Sequence, residues 1–175
     1  MQASGSVRTA APAAGAGEGK VTDPGGDVSP IKLSVELDVP PAEAWARFVE
    51  GFGDWWPRLT HSLTRDPGTR CLLEGRAGGR LYEIGPDGSE YTWGRVEFAR
   101  AAEAVGFSWH PGREPESAQQ VAVTFESTPG GCRATLVHGN WEALGEIAPI
   151  LRAQYVPGWR HVFGELFAGY ARRRH

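Results

Sequence analysis

The stretch Pro157-Gly158-Trp159-Arg160-His161-Val162-Phe163-Gly164-Glu165-Leu166-Phe167-Ala168-Gly169-Tyr170 decides the fold. Trp159, Val162, Phe163, Leu166, Phe167 and Tyr170 recur with helical spacing and make one continuous apolar face. Pro157-Gly158 is expected to open this helix, because proline's missing N–H costs nothing in a first turn. A shorter helical piece around 147–153 precedes it, with Pro149 in its own first turn. So apolar a face needs a partner surface. The region before it supplies one, with candidate strands at 70–74, 80–84, 90–98, 104–110, 120–126 and 133–138. Gly78-Gly79, Pro86-Asp87-Gly88, Pro111-Gly112 and Pro129-Gly130-Gly131 provide the turns between them. Val105, Phe107 and Trp109 share one parity, as do Val121, Val123 and Phe125, so one sheet face needs covering.

Further out, residues 31–39 alternate apolar and polar, a half-buried strand that Pro40-Pro41 ends. Trp45, Phe48, Val49 and Phe52 then mark one face of a helix that Gly51 and Gly53 stop. Asp54-Trp55-Trp56-Pro57 follows as a loop or broken helix. Strand, helix, about six strands and a long helix make an α+β architecture, with one helix laid across a curved antiparallel sheet. Residues 1–29 hold 17 Ala, Gly, Ser or Pro and no Ile, Leu, Phe, Trp or Tyr. Such a segment cannot offset its ordering entropy and is expected to be a disordered tail before a single domain at 30–172.

Composition sets limits on function. The 175 residues carry a formal net charge of -3, which argues against a general nucleic-acid binder. No run is long and apolar enough for a membrane span. No secretory leader is visible, so a cytoplasmic location with reduced Cys71 and Cys132 is expected. The five histidines lack metal-ligand spacing and the two cysteines stand far apart, so neither a metal nor another cofactor is expected.

The ordered segments resemble the helix-grip (Bet v 1/START-like) fold of the START-like (SRPBCC) superfamily. More narrowly they resemble its stand-alone, polyketide-cyclase-like bacterial Hsp90-ATPase-activator homologues. The likeness rests on Val39-Pro40-Pro41-Ala42-Glu43-Ala44-Trp45, Trp55-Trp56-Pro57, Gly78-Gly79-Arg80-Leu81-Tyr82-Glu83 and Trp93-Gly94-Arg95-Val96. Phe107-Ser108-Trp109, the run from Gly130 to His138, and Pro157-Gly158-Trp159 continue it in the same order. The resemblance implies a cavity between the sheet and the long helix, often used for an apolar or aromatic molecule. It does not imply an Hsp90 partner here, since only the tail stands where the eukaryotic co-chaperone carries a further domain.

Trp109 shares its face with Phe107 and should point inward. Tyr91 and Trp93 have the opposite parity to Val96 and Phe98, and a bulge at Gly94 would let both pairs face the core. Trp159 and Phe163 lie on the helical stripe, and Trp55, Trp56 and Trp141 lie in connections near the expected mouth, as does His61. Tyr82 joins these as a wall candidate. Aromatic walls suit a planar ligand, which indole N–H and phenol O–H groups can orient. His138 alternates with Ala134 and Leu136 and should face inward, as a candidate acid or base or a structural histidine. Glu83 is either a cavity carboxylate or half of a Glu–Arg pair on the open sheet face. His110 has outward parity, His161 falls beside the stripe, and His175 is terminal.

Three readings follow. The first is a small-molecule-binding domain for an aromatic, polyketide-like or lipid-like compound. The second is a cofactor-independent cyclase, dehydratase or hydrolase using His138 or Glu83. The third is a chaperone-associated interaction module with an apolar patch at Trp55-Trp56 and no cavity.

Overall fold

The computed structural model describes residues 26–172. Residues 1–25 and 173–175, which include most of the Ala/Gly-rich segment and His175, lie outside the described residues. Residues 26–29 lie beside the C-terminal helix, where Arg152 meets the Asp27 carboxylate at 2.8 Å and the Ser29 carbonyl at 2.5 Å.

Seven antiparallel strands form one sheet in the order β1-β7-β6-β5-β4-β3-β2, curled into a half-barrel. In chain order they are Ile31–Leu37, Arg70–Leu73, Arg80–Ile84, Glu90–Arg100, Ala104–Trp109, Gln119–Thr128 and Gly131–Gly139. The first strand pairs with the last, Ile31 opposite His138 and Leu37 opposite Cys132. Every strand read from the sequence is present, with ends that agree to within two residues. On β5, β6 and β7 the alternate residues Val105, Phe107, Trp109, Val121, Val123, Phe125, Ala134, Leu136 and His138 are buried on the concave face.

Helix α1 (Pro41–Val49) buries Trp45, Phe48 and Val49 as its spacing requires. The segment 52–61 is a broken helix of two single turns, α2 (Phe52–Trp55) and α3 (Arg58–His61). The C-terminal helix, α4, starts as Ala148–Trp159, continues through π-helical Arg160–Phe167 and ends as Ala168–Ala171. Trp159, Arg160, Phe167 and Ala168 keep right-handed helical dihedrals, so the rod is unbroken.

Pro157 therefore sits inside the helix and does not open it. An internal proline costs roughly 3 kcal/mol. Tyr155 and Trp159, one turn apart across it, are both buried against the sheet. Each contributes roughly 1.5–3 kcal/mol by burial, enough together to offset the proline. At the other end of α4, Phe163 and Phe167 close on Phe48, with ring centroids at 6.2 and 5.1 Å. Arg47 of α1 also donates to the Ala171 carbonyl at 2.7 Å. The helix is thus fixed to the open end of the half-barrel by aromatic packing and a capped last turn.

Strand β4 carries the expected bulge. Leu81 is opposite Gly94 while Tyr82 is opposite Thr92, so Trp93 is the extra residue and turns inward, fully buried. Tyr91 departs from expectation: it pairs with Glu83 near the strand's end and is 39% exposed. Phe98 departs as well. A second register shift between Val96 and Phe98 reverses its direction, and its ring covers Gly106 on the convex side.

Gly94 makes the first bulge possible by close approach. A Cβ there would lie 1.7 Å from the Ser108 carbonyl oxygen. Gly94→Ala is expected to destabilise the fold by roughly 3 kcal/mol or more, read as a lowered denaturant midpoint. An unchanged midpoint would contradict this packing.

Candidate ligand-binding site

Under α4 a cleft opens between the helix and the concave sheet. It is lined by Trp56, His61, Ser62, Leu63, Trp93, Trp109, Pro111, Tyr155, Gly158, Trp159 and Val162. Its empty volume out to the mouth is about 480 Å³, of which only about 30 Å³ admits the centre of a water-sized sphere. The latter is room for a water or two, against the roughly 150 Å³ of a cavity that admits benzene. The cleft is therefore narrow and nearly filled by its own walls. A wider groove, with about 900 Å³ of empty volume, runs between α1–α2 and the β2 edge, among Glu50, Asp54, Arg58 and Arg70, without convergent indoles.

Four indoles from four separate segments build the walls. Trp56 follows α2, Trp93 comes from the β4 bulge, Trp109 ends β5, and Trp159 belongs to α4. Trp56 meets Trp93 at 5.4 Å, Trp109 at 5.8 Å and Trp159 at 6.2 Å between ring centroids. Trp109 and Trp159 stand 5.6 Å apart.

All seven indole N–H groups have acceptors inside the protein. Trp45, Trp55, Trp56 and Trp141 donate to the carbonyls of Ala104, Phe48, His61 and His138. Trp93 donates to Glu83, Trp109 to the Tyr155 hydroxyl and Trp159 to His138 Nδ1, each at 2.9 Å. The indoles thus offer a guest their π faces and edges but no hydrogen-bond donor.

Glu83 matches neither sequence reading. Leu81 and Glu83 face inward while Arg80 stacks on Tyr82 outside, 3.9 Å from its ring centroid. The Glu83 carboxylate is fully buried and accepts from Leu63 N and Thr64 N at 2.8 Å and from Trp93 Nε1. It pins the 62–64 segment at the mouth to the Trp93 wall. The arginines pair elsewhere, Arg80 with Glu90 at 2.6 Å.

His138 is fully buried, tilted against Trp141 with ring centroids 4.1 Å apart, and its Nδ1 accepts from Trp159. Burial, then the nearby positive charge of Arg113, pushes its pKa down from 6.5 to about 3. The ring is neutral and braces α4 against β7. His61 lines the mouth. Its Nδ1 lies 2.7 Å from the Thr60 hydroxyl, which donates to the Pro57 carbonyl at 3.2 Å. Its Nε2 is buried without a partner. Burial first, then the charges of His161 and Arg65, lowers its pKa. His161, beside the apolar stripe, faces it from α4 at 6.4 Å and pairs with Glu165 at 2.8 Å.

Of the eleven candidate ligand-binding residues, Trp56, His61, Trp93, Trp109 and Trp159 converge on the cleft. The other six do not line it. Trp55 and Phe163 pack in the core beside Phe48 and Phe167, because α2 turns Trp55 away from Trp56. Trp141 lies behind His138, Tyr82 is on the outer face, and Tyr91 is at the sheet's rim. His110 is buried although its parity pointed outward, since β5 ends at Trp109 and its Nδ1 meets the Arg113 carbonyl. Tyr155 was missed. It stands one turn before Trp159 and extends the apolar stripe, but Pro157 hid that continuity.

Among the described residues no group of His, Cys, Asp or Glu is placed to hold a metal, and no helix is long and apolar enough to cross a membrane. Both cysteines are buried and free, and burial pushes the Cys71 thiol up to about 12, which keeps it protonated.

Glu83→Gln keeps the shape but turns an N–H donor towards donors already in place. It is expected to cost roughly 2–3 kcal/mol, seen as a lower melting temperature; an unchanged melting curve would contradict the three-donor site. His138 has a folded-state pKa below its unfolded 6.5, so the fold favours the neutral ring. That contribution is complete above pH 6.5 and is lost as pH falls towards 3. Wild type should therefore lose more stability over this window than His138→Gln, measured by denaturant titration at each pH. Parallel losses would contradict the assignment.

Comparison with known proteins agrees with the architecture. The family model for activator of Hsp90 ATPase homolog 1-like protein matches residues 38–171. No curated protein sequence matches the chain significantly. Among solved structures, the self-sacrificing resistance protein CalC from Micromonospora echinospora superposes with a TM-score of 0.63 at 22% identity, covering 82% of this chain and 94% of that one. An anthrahydroquino-γ-pyrone synthase, Txn09, gives 0.55 at 22% identity, covering 81% and 96%. Ms6760 from Mycobacterium smegmatis gives 0.57 at 18% identity, covering 85% and 93%. These likenesses show a shared START-like helix-grip fold, one typical of small-molecule binding. With most of its length matched by the family model, the chain belongs to the activator of Hsp90 ATPase homolog 1-like family.

Proposed function

We propose that the protein binds a planar aromatic small molecule, of aromatic polyketide type, in the cleft beneath α4. One observation carries this reading: four indoles from separate segments meet around a cleft that reaches solvent. Flat π walls with their N–H groups already engaged suit a fused ring better than a flexible acyl chain. The fused pyrone that names one structural neighbour is itself planar and aromatic. At about 30 Å³ of central free space the cleft must widen to admit a ring.

Two observations weigh on the other readings. Glu83 and His138 do not line the cleft and are both engaged by neighbouring indoles, which gives acid–base catalysis by them no support. Trp55 and Trp56 are each only 5% exposed, so they form no apolar docking patch.

Titration with anthraquinone-type ketones should quench tryptophan fluorescence saturably at one site, while a saturated fatty acid should not. Gly158→Leu, which grows a side chain from the roof of the cleft, should weaken the aromatic ligand about tenfold or more. Quenching that never saturates, or that is unchanged in Gly158→Leu, would refute the proposal.

A further inference from the structure

Tyr155 on the cleft wall, and His138 and Arg113 outside its lining, carry hydrogen-bond donors that have no acceptor. Tyr155 lines the cleft, and its oxygen accepts from Trp109 Nε1. Its own hydroxyl hydrogen has no acceptor among the described residues. The His138 ring stands edge-on to Tyr155, 5.0 Å between centroids. Because His138 Nδ1 accepts from Trp159, its hydrogen is on Nε2, and that atom is buried without a partner.

Arg113 supplies the third donor. It follows the cleft-lining Pro111 by two residues. Its Nη2 donates to Gln119 Oε1 at 2.8 Å, whereas its Nε is buried without a partner. The strand register places this contact. Gln119 is opposite Trp109 across β5 and β6, and Val121 is opposite His138 across β6 and β7. Gln119, Trp109 and His138 therefore share the concave face. Among the described residues no carboxylate pairs with Arg113.

Buried donors without acceptors are costly, so three in one neighbourhood do not suit an apolar guest alone. An acceptor-only group resolves all of them, and a negative charge matches the unpaired guanidinium. We propose that the Tyr155–His138–Arg113 cluster is a subsite for an oxyanion, a carboxylate or ionised hydroxyl, borne by the planar aromatic ligand. The inference rests on the aromatic-cleft reading and narrows its ligand to acidic or enolic aromatics. A plain hydrocarbon leaves the donors unpaired, and a cationic ligand meets Arg113.

Two probes of matched size test it on the full chain at near-neutral pH and low salt: 2-naphthoate and its neutral isostere 2-naphthamide, titrated calorimetrically. Naphthoate should bind about tenfold tighter or more, and Arg113→Gln should erase that preference. Tyr155→Phe should reduce the preference severalfold, and it serves if Arg113→Gln does not fold. Equal affinities in wild type, or a preference that survives both substitutions, would overturn the subsite while leaving the aromatic cleft standing. If neither probe binds, the cleft reading fails and the subsite fails with it.

Discussion

The burial of one aromatic helix face against a concave sheet is the constraint on which the rest of the molecule depends. Phe163 and Phe167 fix the C-terminal end of α4 against Phe48, while Tyr155 and Trp159 fix its middle against Trp109 and His138. Both contacts hold the helix across the mouth of the half-barrel. The cleft lies at the second of these contacts, roofed by Tyr155, Gly158, Trp159 and Val162. The internal proline and the π-helical stretch are tolerated because packing on both sides of them outweighs the local cost.

Polar satisfaction then decides what the cleft can recognise. The indoles that wall it have given their N–H groups to Glu83, His138, Tyr155 and a main-chain carbonyl. These bonds lock the ring orientations, and the walls become rigid carbon surfaces. Glu83 shows the same economy: a charge kept inside by three N–H donors holds the mouth segment and the Trp93 wall together. What polarity remains unspent lies at the Tyr155 hydroxyl and at the Nε2 atoms of His138 and His61.

Much of the fold was legible because it is written in periodicity. The apolar stripe from Trp159 to Tyr170, the single parity of Val105, Phe107 and Trp109, and the Gly- and Pro-marked turns each report burial on one side. The Gly94 bulge was readable too, as a phase change along one strand. Features that depend on tertiary context were not. Pro157 looked like a helix start because propensity is local, whereas the packing of Tyr155 and Trp159 that overrides it is not. The second register shift in β4 has no glycine at 96–98 to announce it, and so the direction of Phe98 is not legible. Among site residues, Trp56, Trp93, Trp109 and Trp159 were found, since large aromatics at connections and strand ends are conspicuous. Arg113 was not, because nothing in Pro111-Gly112-Arg113 tells a solvated turn from a guanidinium tucked under a strand end.

The most direct test follows the seven indole Nε1–H resonances by NMR while a fused-ring aromatic is titrated into the protein. Binding beneath α4 predicts shifts at Trp56, Trp93, Trp109 and Trp159, with Trp45 and Trp55 unmoved in the core around α1. Shifts confined to Trp45 and Trp55, or no shift at any indole, would contradict a ligand site between the helix and the sheet.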